Sequence, residues 1–145
     1  MLKVFLDTNV YLRFFIIEEE KAHQECVRLI GASEEGVFRP YTSGFVLSEI
    51  GYVLEKIYKE SKNSVVEKLN TIARMRNMTF AEKGNTLKAI EYFEKLNVKL
   101  GDCFIATQVP DGVTFVTYDN KHFVKFKGLK VMTPRKFLLE LDSKK

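Results

Sequence analysis

The chain predicts a single α/β domain, with a mostly parallel central sheet flanked by helices on both faces. Three observations lead there. Short β-branched or aromatic apolar runs alternate with longer segments whose apolar residues recur every three or four positions. Capping and turn residues sit at nearly every junction between them. The 145 residues suffice for one substantial core but not for two ordinary domains, and no linker, repeat or low-complexity stretch divides them. The whole chain, 1–145, is therefore read as one domain with its core over about residues 2–141.

Leu2 to Leu6 reads as the first strand, stopped by Asp7-Thr8-Asn9. Tyr11 to Ile17 is apolar again and predicts a short helix. Glu18-Glu19-Glu20 suits the first turn of the next helix, where negative charge meets the positive end of the dipole. Ala22, Cys26, Leu29 and Ile30 lie on one face of that helix, and Gly31 and Gly36 bracket its end. Val37-Phe38 predicts a second strand stopped by Pro40. Thr42 or Ser43 caps a helix carrying Val46, Ile50, Val53, Leu54 and Ile57 inward. Asn63 or Ser64 opens another, with Val65, Leu69, Ile72 and Met75 inward, and Met78 to Ala81 reads as a strand. Asn85 or Thr86 caps a helix with Leu87, Ile90, Phe93 and Leu96 on its apolar face. A short apolar helix follows around Gly101 to Ala106, then the Asp111-Gly112 turn and a β-branched buried strand from Val113 to Thr117. Leu129 to Met132 makes the last strand, and Pro134 opens a terminal helix.

Composition narrows the function. No apolar run is long enough to span a membrane, and the N-terminus lacks the features of a signal peptide, so the expected location is the cytoplasm. Cys26 and Cys103 form no CxxC pair and read as separate buried thiols; with His23 and His122 far apart, a Cys/His zinc site has no support. The net charge of +4 is uneven: residues 121–145 carry +6, leaving −2 on residues 1–120. Such a basic end could hold the phosphates of a polyanion, but charge alone favours a solvated basic face with a frayed tail.

Ligands of open α/β sheets collect at the carboxyl ends of the strands. Asp7 and Asp119 sit at two such ends, while Glu49 and Asp102 lie on helices able to lean over the same edge. Each has an ordinary reading alone. Asp7 and Asp102 suit helix N-termini, Asp119 suits a turn, and Glu49 suits a helix flank. One shared cause accounts for all four: carboxylates brought together repel, and a hard cation relieves that repulsion. Mg²⁺ or Mn²⁺ fits an all-oxygen donor set, and hydrolysis assisted by such an ion needs no nucleophilic side chain. None is evident, for neither GxSxG nor a Gly-rich phosphate loop is present.

Together the segments VFLDTNVYL, SGFVLSEIGYVL, GDCFIAT and FVTYDNKHF resemble the PIN-domain family, and within it the small VapC-like toxin nucleases. The resemblance spans residues 4 to 123. It implies a single-domain, Mg²⁺- or Mn²⁺-dependent endoribonuclease with Asp7, Glu49, Asp102 and Asp119 as its acidic quartet, Asp7 and Asp102 foremost among the metal ligands. Thr8 or Asn9 would steady Asp7, and Thr117 would line the same pocket. It further implies a homodimer restrained by a small antitoxin protein. Lys121, Lys125 and Lys127 are candidates to track the phosphates of an RNA substrate. The sequence departs from the family where Asn120-Lys121-His122 separate Asp119 from Phe123, and where Cys103-Phe104 is bulkier than the residues usual after the third acid.

Other readings remain. A housekeeping RNA-processing nuclease of the same fold, or a non-catalytic module that binds nucleic acid or a protein partner, would share these motifs. A phosphatase using a strand-end Asp as nucleophile wants an acid two residues later, where this chain has Asn9. A phospho-receiver domain wants adjacent acids before the first-strand Asp, where this chain has Lys3 and Val4.

Overall fold

A computed structural model describes residues 1–145. Five strands form an all-parallel sheet in the order β3-β2-β1-β4-β5. They are β1 (Leu2–Leu6), β2 (Phe38–Thr42), β3 (Thr79–Phe80), β4 (Thr114–Val116) and β5 (Lys130–Met132). Between and after them run α1 (Thr8–Phe15), α2 (Glu20–Glu34), α3 (Gly44–Tyr52), α4 (Lys62–Ala73), α5 (Thr86–Lys95), α6 (Leu100–Gln108), α7 (Asn120–Phe123) and α8 (Pro134–Ser143). No helix is long and apolar enough to cross a membrane.

A parallel sheet covered on both faces must be apolar on both, and the central strands are: Val4, Phe5, Leu6, Phe115 and Val116 are all fully buried. Phe5 and Phe115 pack ring to ring at 5.7 Å, and Phe115 meets Phe123 of α7 at 4.5 Å. These contacts tie the two strands that carry the site to one core. Strand order reverses direction at β1, so the crevice between the ends of β1 and β4 is a topological switch point. Cys26 and Cys103 are both buried free thiols, as expected.

Several boundaries differ from expectation, each for a physical reason. Pro40 does not stop β2; it pairs with Val4 in register. Strand β3 reaches only Tyr41 and Thr42, so at Pro40 the strand is still an edge, where a residue without an N–H is tolerated. Helix α1 begins at Thr8 rather than Tyr11, directly on Asp7. Gly31 lies inside α2, and the stop is Gly36, whose φ of +81° favours glycine. Ser43 caps α3, but that helix widens into a π-helical turn over Val53–Ile57, which keeps Leu54 inward and leaves Ile57 exposed. Helix α4 starts at Lys62, because Ser61 rather than Asn63 or Ser64 accepts from Ser64 N.

The largest correction concerns α5. Asn85 caps it as expected, yet Leu87, Ile90 and Phe93 face solvent at 80%, 50% and 49% exposure. The residue it buries fully is Ala89, with Tyr92 and Leu96 partly covered. A small side chain on the packed face lets α5 lie close on α6, and the bulkier apolar set is turned outward.

Candidate active site

Four elements deliver the acids to one edge of the sheet. Asp7 follows β1, Asp119 follows β4 by way of Thr117 and Tyr118, Glu49 lies on α3, and Asp102 lies in the first turn of α6. Asp7 is only 4% exposed. Its Oδ1 accepts from Thr8 N at 2.7 Å, and its Oδ2 accepts from the Thr117 hydroxyl at 2.7 Å and from Asn9 Nδ2 at 3.3 Å. Its backbone carbonyl accepts from Val10 N, so Asp7 starts α1 as well. The cap and the site are the same residue.

Threonine and asparagine side chains knit the acids together. The Thr8 hydroxyl donates to Glu49 Oε1 at 2.8 Å. Thr117, fully buried, donates to Asp7 and accepts from Asp119 N at 2.9 Å. Asn9 Nδ2 lies 3.3 Å from Asp7 Oδ2, 3.4 Å from Thr117 Oγ1 and 3.3 Å from Asp119 Oδ2, long bonds that two N–H groups must share. Asn9 Oδ1 accepts from Tyr118 N, closing the link between the ends of β1 and β4. Gly101 brings α6 close to α3: a β-carbon there would stand 3.4 Å from Glu49 Oε2 and from the Phe45 ring.

Burial and mutual repulsion make Asp7, Glu49 and Asp102 reluctant anions. Asp7 is pushed up to about 7, chiefly by loss of solvent; Asp102 and Glu49 add repulsion, and the Thr117 and Thr8 hydrogen bonds oppose the rise. Burial also raises Glu49 and Asp102, with Asp102 acting on Glu49 and Asp119 acting on Asp102. Lys99 opposes both shifts, and His122 opposes that of Asp102. Lys99 is thus the cation beside the cluster, with His122 near Asp102. Neither was a candidate from the sequence: Lys99 lies outside every motif, and His122, though within FVTYDNKHF, reads there only as part of the spacing between Asp119 and Phe123.

The donor set suits a hard divalent cation in chemistry: carboxylate oxygens, with no thiol among them. No three Asp, Glu, His or Cys side chains converge closely enough to enclose an ion by themselves. An ion here would lean on fewer carboxylates, with water completing its shell, as Mg²⁺ commonly does.

The structure thus gathers Asp7, Glu49, Asp102, Asp119, Thr8, Asn9 and Thr117. The basic candidates are scattered. Lys121 lies on α7 directly after Asp119. Lys125 is exposed and donates to the carbonyl of Asn97 at 3.4 Å. Lys127 lines a cleft with Leu2, Thr114 and Lys130, at the starts of β1, β4 and β5 and hence at the opposite edge of the sheet.

Solved structures share this architecture. VapBC2 of Rickettsia felis bound to a promoter DNA fragment matches with TM-score 0.64 at 19% identity, over 91% of this chain and 98% of that one. DNA-bound VapBC of Salmonella typhimurium matches with TM-score 0.65 at 23% identity, over 92% and 99%. PAE2754 of Pyrobaculum aerophilum matches with TM-score 0.67 at 13% identity, over 98% and 96%. At these identities the likeness is one of fold. No curated protein matches the chain in sequence. The sequence profile of the PIN domain, however, matches residues 4–129, from the middle of β1 to the threshold of β5, taking in all four acids. The chain belongs to the PIN-domain family.

Proposed function

We propose that the protein is a metal-dependent endoribonuclease, hydrolysing RNA phosphodiester bonds at the cluster of Asp7, Glu49, Asp102 and Asp119. The observation that carries this reading is the destabilised anion of Asp7, buried beside Glu49 and Asp102 at the switch point of the sheet. A fold seldom keeps such repulsion unless function uses it. Asp7 and Asp102 would hold Mg²⁺ or Mn²⁺, with Glu49 and Asp119 completing the site. When bound, the cation supplies Lewis acidity toward a water nucleophile and the scissile phosphate. The chain's own contribution is orientation: Thr8 fixes Glu49, Thr117 fixes Asp7, and Asn9 bridges Asp7 and Asp119. Lys99 and His122 at the rim, and Lys121 beside them, would receive the RNA backbone. Lys125 and Lys127 would be reached only by a longer strand.

The test is direct. Purified protein should cleave RNA with Mg²⁺ or Mn²⁺ and not with EDTA, and Asp7→Asn should abolish cleavage while leaving the circular dichroism spectrum intact. Cleavage of equal strength by the variant would refute the proposal.

The toxin of a type II toxin–antitoxin pair is the biological role we favour over a housekeeping nuclease. The similar fold of proteins named VapBC supports it, as does the exposed stripe of Leu87, Ile90 and Phe93 on α5, which offers a surface for a second copy or for a small antitoxin. A short neighbouring reading frame encoding a DNA-binding protein that blocks the activity would separate the two roles.

A further inference from the structure

Arg13 stands one turn beyond Asn9 on α1, so the two side chains share a face of the helix about 5–6 Å apart at their β-carbons. Its guanidinium lies over the Tyr118 ring, 4.7 Å from the centroid, which fixes its position. Nε is buried and has no hydrogen-bond partner, and the guanidinium enters none of the chain's ion pairs. A charge near the C-terminal end of α1 is favourable in itself, but that leaves the donors of the fork unspent. Beside it opens a cavity of about 120 Å³ lined by Asn9, Leu12, Arg13, Ile16, Glu18 and Tyr58. Asn9 is shared with the acidic cluster, so the cavity adjoins the reacting centre. Glu18, its one acid, accepts the Tyr58 hydroxyl in a short hydrogen bond.

We infer that this cavity is a phosphate subsite, in which Arg13 holds the RNA phosphate next to the scissile one; the inference rests on the ribonuclease reading above. Chemistry selects that ligand, and size admits it. A planar fork with unspent donors matches the oxygens of a phosphodiester. The cavity has room for a phosphate group. The step of one helical turn from Asn9 to Arg13 is comparable to the step between successive phosphates of an extended strand. Such a contact would set the register of the strand across the acids.

The test is a binding cycle on the full chain in an Asp102→Asn background, so that bound RNA is not cut. A short single-stranded RNA is compared with versions in which one phosphate at a time is replaced by a neutral methylphosphonate. At one position beside the scissile phosphate, the replacement should weaken binding about tenfold with Arg13 present and have no effect in Arg13→Ala. The same substitution should lower the salt slope by about one. A purely structural Arg13, acting through Tyr118, would instead weaken binding equally at every position, and additive losses throughout would overturn the inference. Arg13→Lys separates the two further: it keeps the charge, and should recover part of the affinity at that position. Absence of RNA binding by the parent protein would sink the ribonuclease reading and this inference together. Binding with an additive cycle would sink this inference alone.

Discussion

Replacing Asp7 by Asn should stabilise the protein in EDTA at pH 8, although it removes hydrogen-bonded contacts. Asp7 is pushed up to about 7 in the folded chain from an ordinary 3.8. Between those values the unfolded chain has released this proton and the folded chain has kept it. Stability from this group is therefore fully present below about pH 4 and is lost as pH rises through 7. A difference of roughly three pH units corresponds to a ceiling of about 4 kcal/mol. Asparagine is never charged and escapes that loss, but it accepts at only one oxygen where Asp7 uses two. One hydrogen bond forgone costs about 1–1.5 kcal/mol. The net gain at pH 8 is about 2–3 kcal/mol, or roughly 4–12 °C in Tm for a chain of this size. Urea denaturation of both proteins at pH 5 and pH 8 measures it. Wild type should lose stability between the two pH values and the variant should lose less, starting from nearly equal stability at pH 5. Parallel pH profiles, or a variant less stable at pH 8, would refute the reasoning.

Thr117→Val removes the hydroxyl that donates to Asp7 and accepts from Asp119 N, inside a fully buried position. It should cost about 1–3 kcal/mol in urea denaturation and move the pH at which stability falls above that of wild type, since one of the contacts holding Asp7 down is gone. An unchanged pH profile would show that this hydrogen bond does not tune Asp7. Gly36→Ala places a β-carbon on a residue with φ of +81°, 3.3 Å from the Arg76 guanidinium. It should cost about 1–2 kcal/mol equally at pH 5 and pH 8, with RNA cleavage per folded molecule unchanged.

Much of the fold was legible because local and tertiary signals agree. Val4-Phe5-Leu6 and the β-branched run at 113–117 are strands in any parallel sheet buried on both faces, and Ser43 and Asn85 cap the helices where they stand. Legibility failed where the neighbouring element decides. Pro40 breaks a strand by local rules, and whether it does so here depends on how far β3 extends beside it. The apolar stripe of α5 has helical spacing, but spacing alone does not say which face meets α6. Small Ala89 faces in and bulky Leu87 faces out, an inversion that periodicity cannot foresee.

The site divides along the same line. Acids at strand ends could be placed from sequence, because the carboxyl edge of a parallel sheet is fixed by chain direction. Asp7 was open to a second reading as a helix cap, and in the structure the two readings are compatible: the carbonyl of Asp7 starts α1 while its carboxylate faces Thr117 and Asn9. That double use has a consequence. The helix that Asp7 begins carries Asn9 and Arg13 on the face turned to the site, so the residue placed at the end of β1 also sets the orientation of the residues proposed to steer the substrate. Lys99 and Arg13 escaped sequence reading because they lie outside the motifs, and His122 because within its motif it reads only as spacing; their placement comes from what α6, α1 and α7 bring beside them. The acids mark where a reaction is possible; on the proposed reading, Lys99 and Arg13, set beside them only by folding, would decide which polyanion reaches it and in what register.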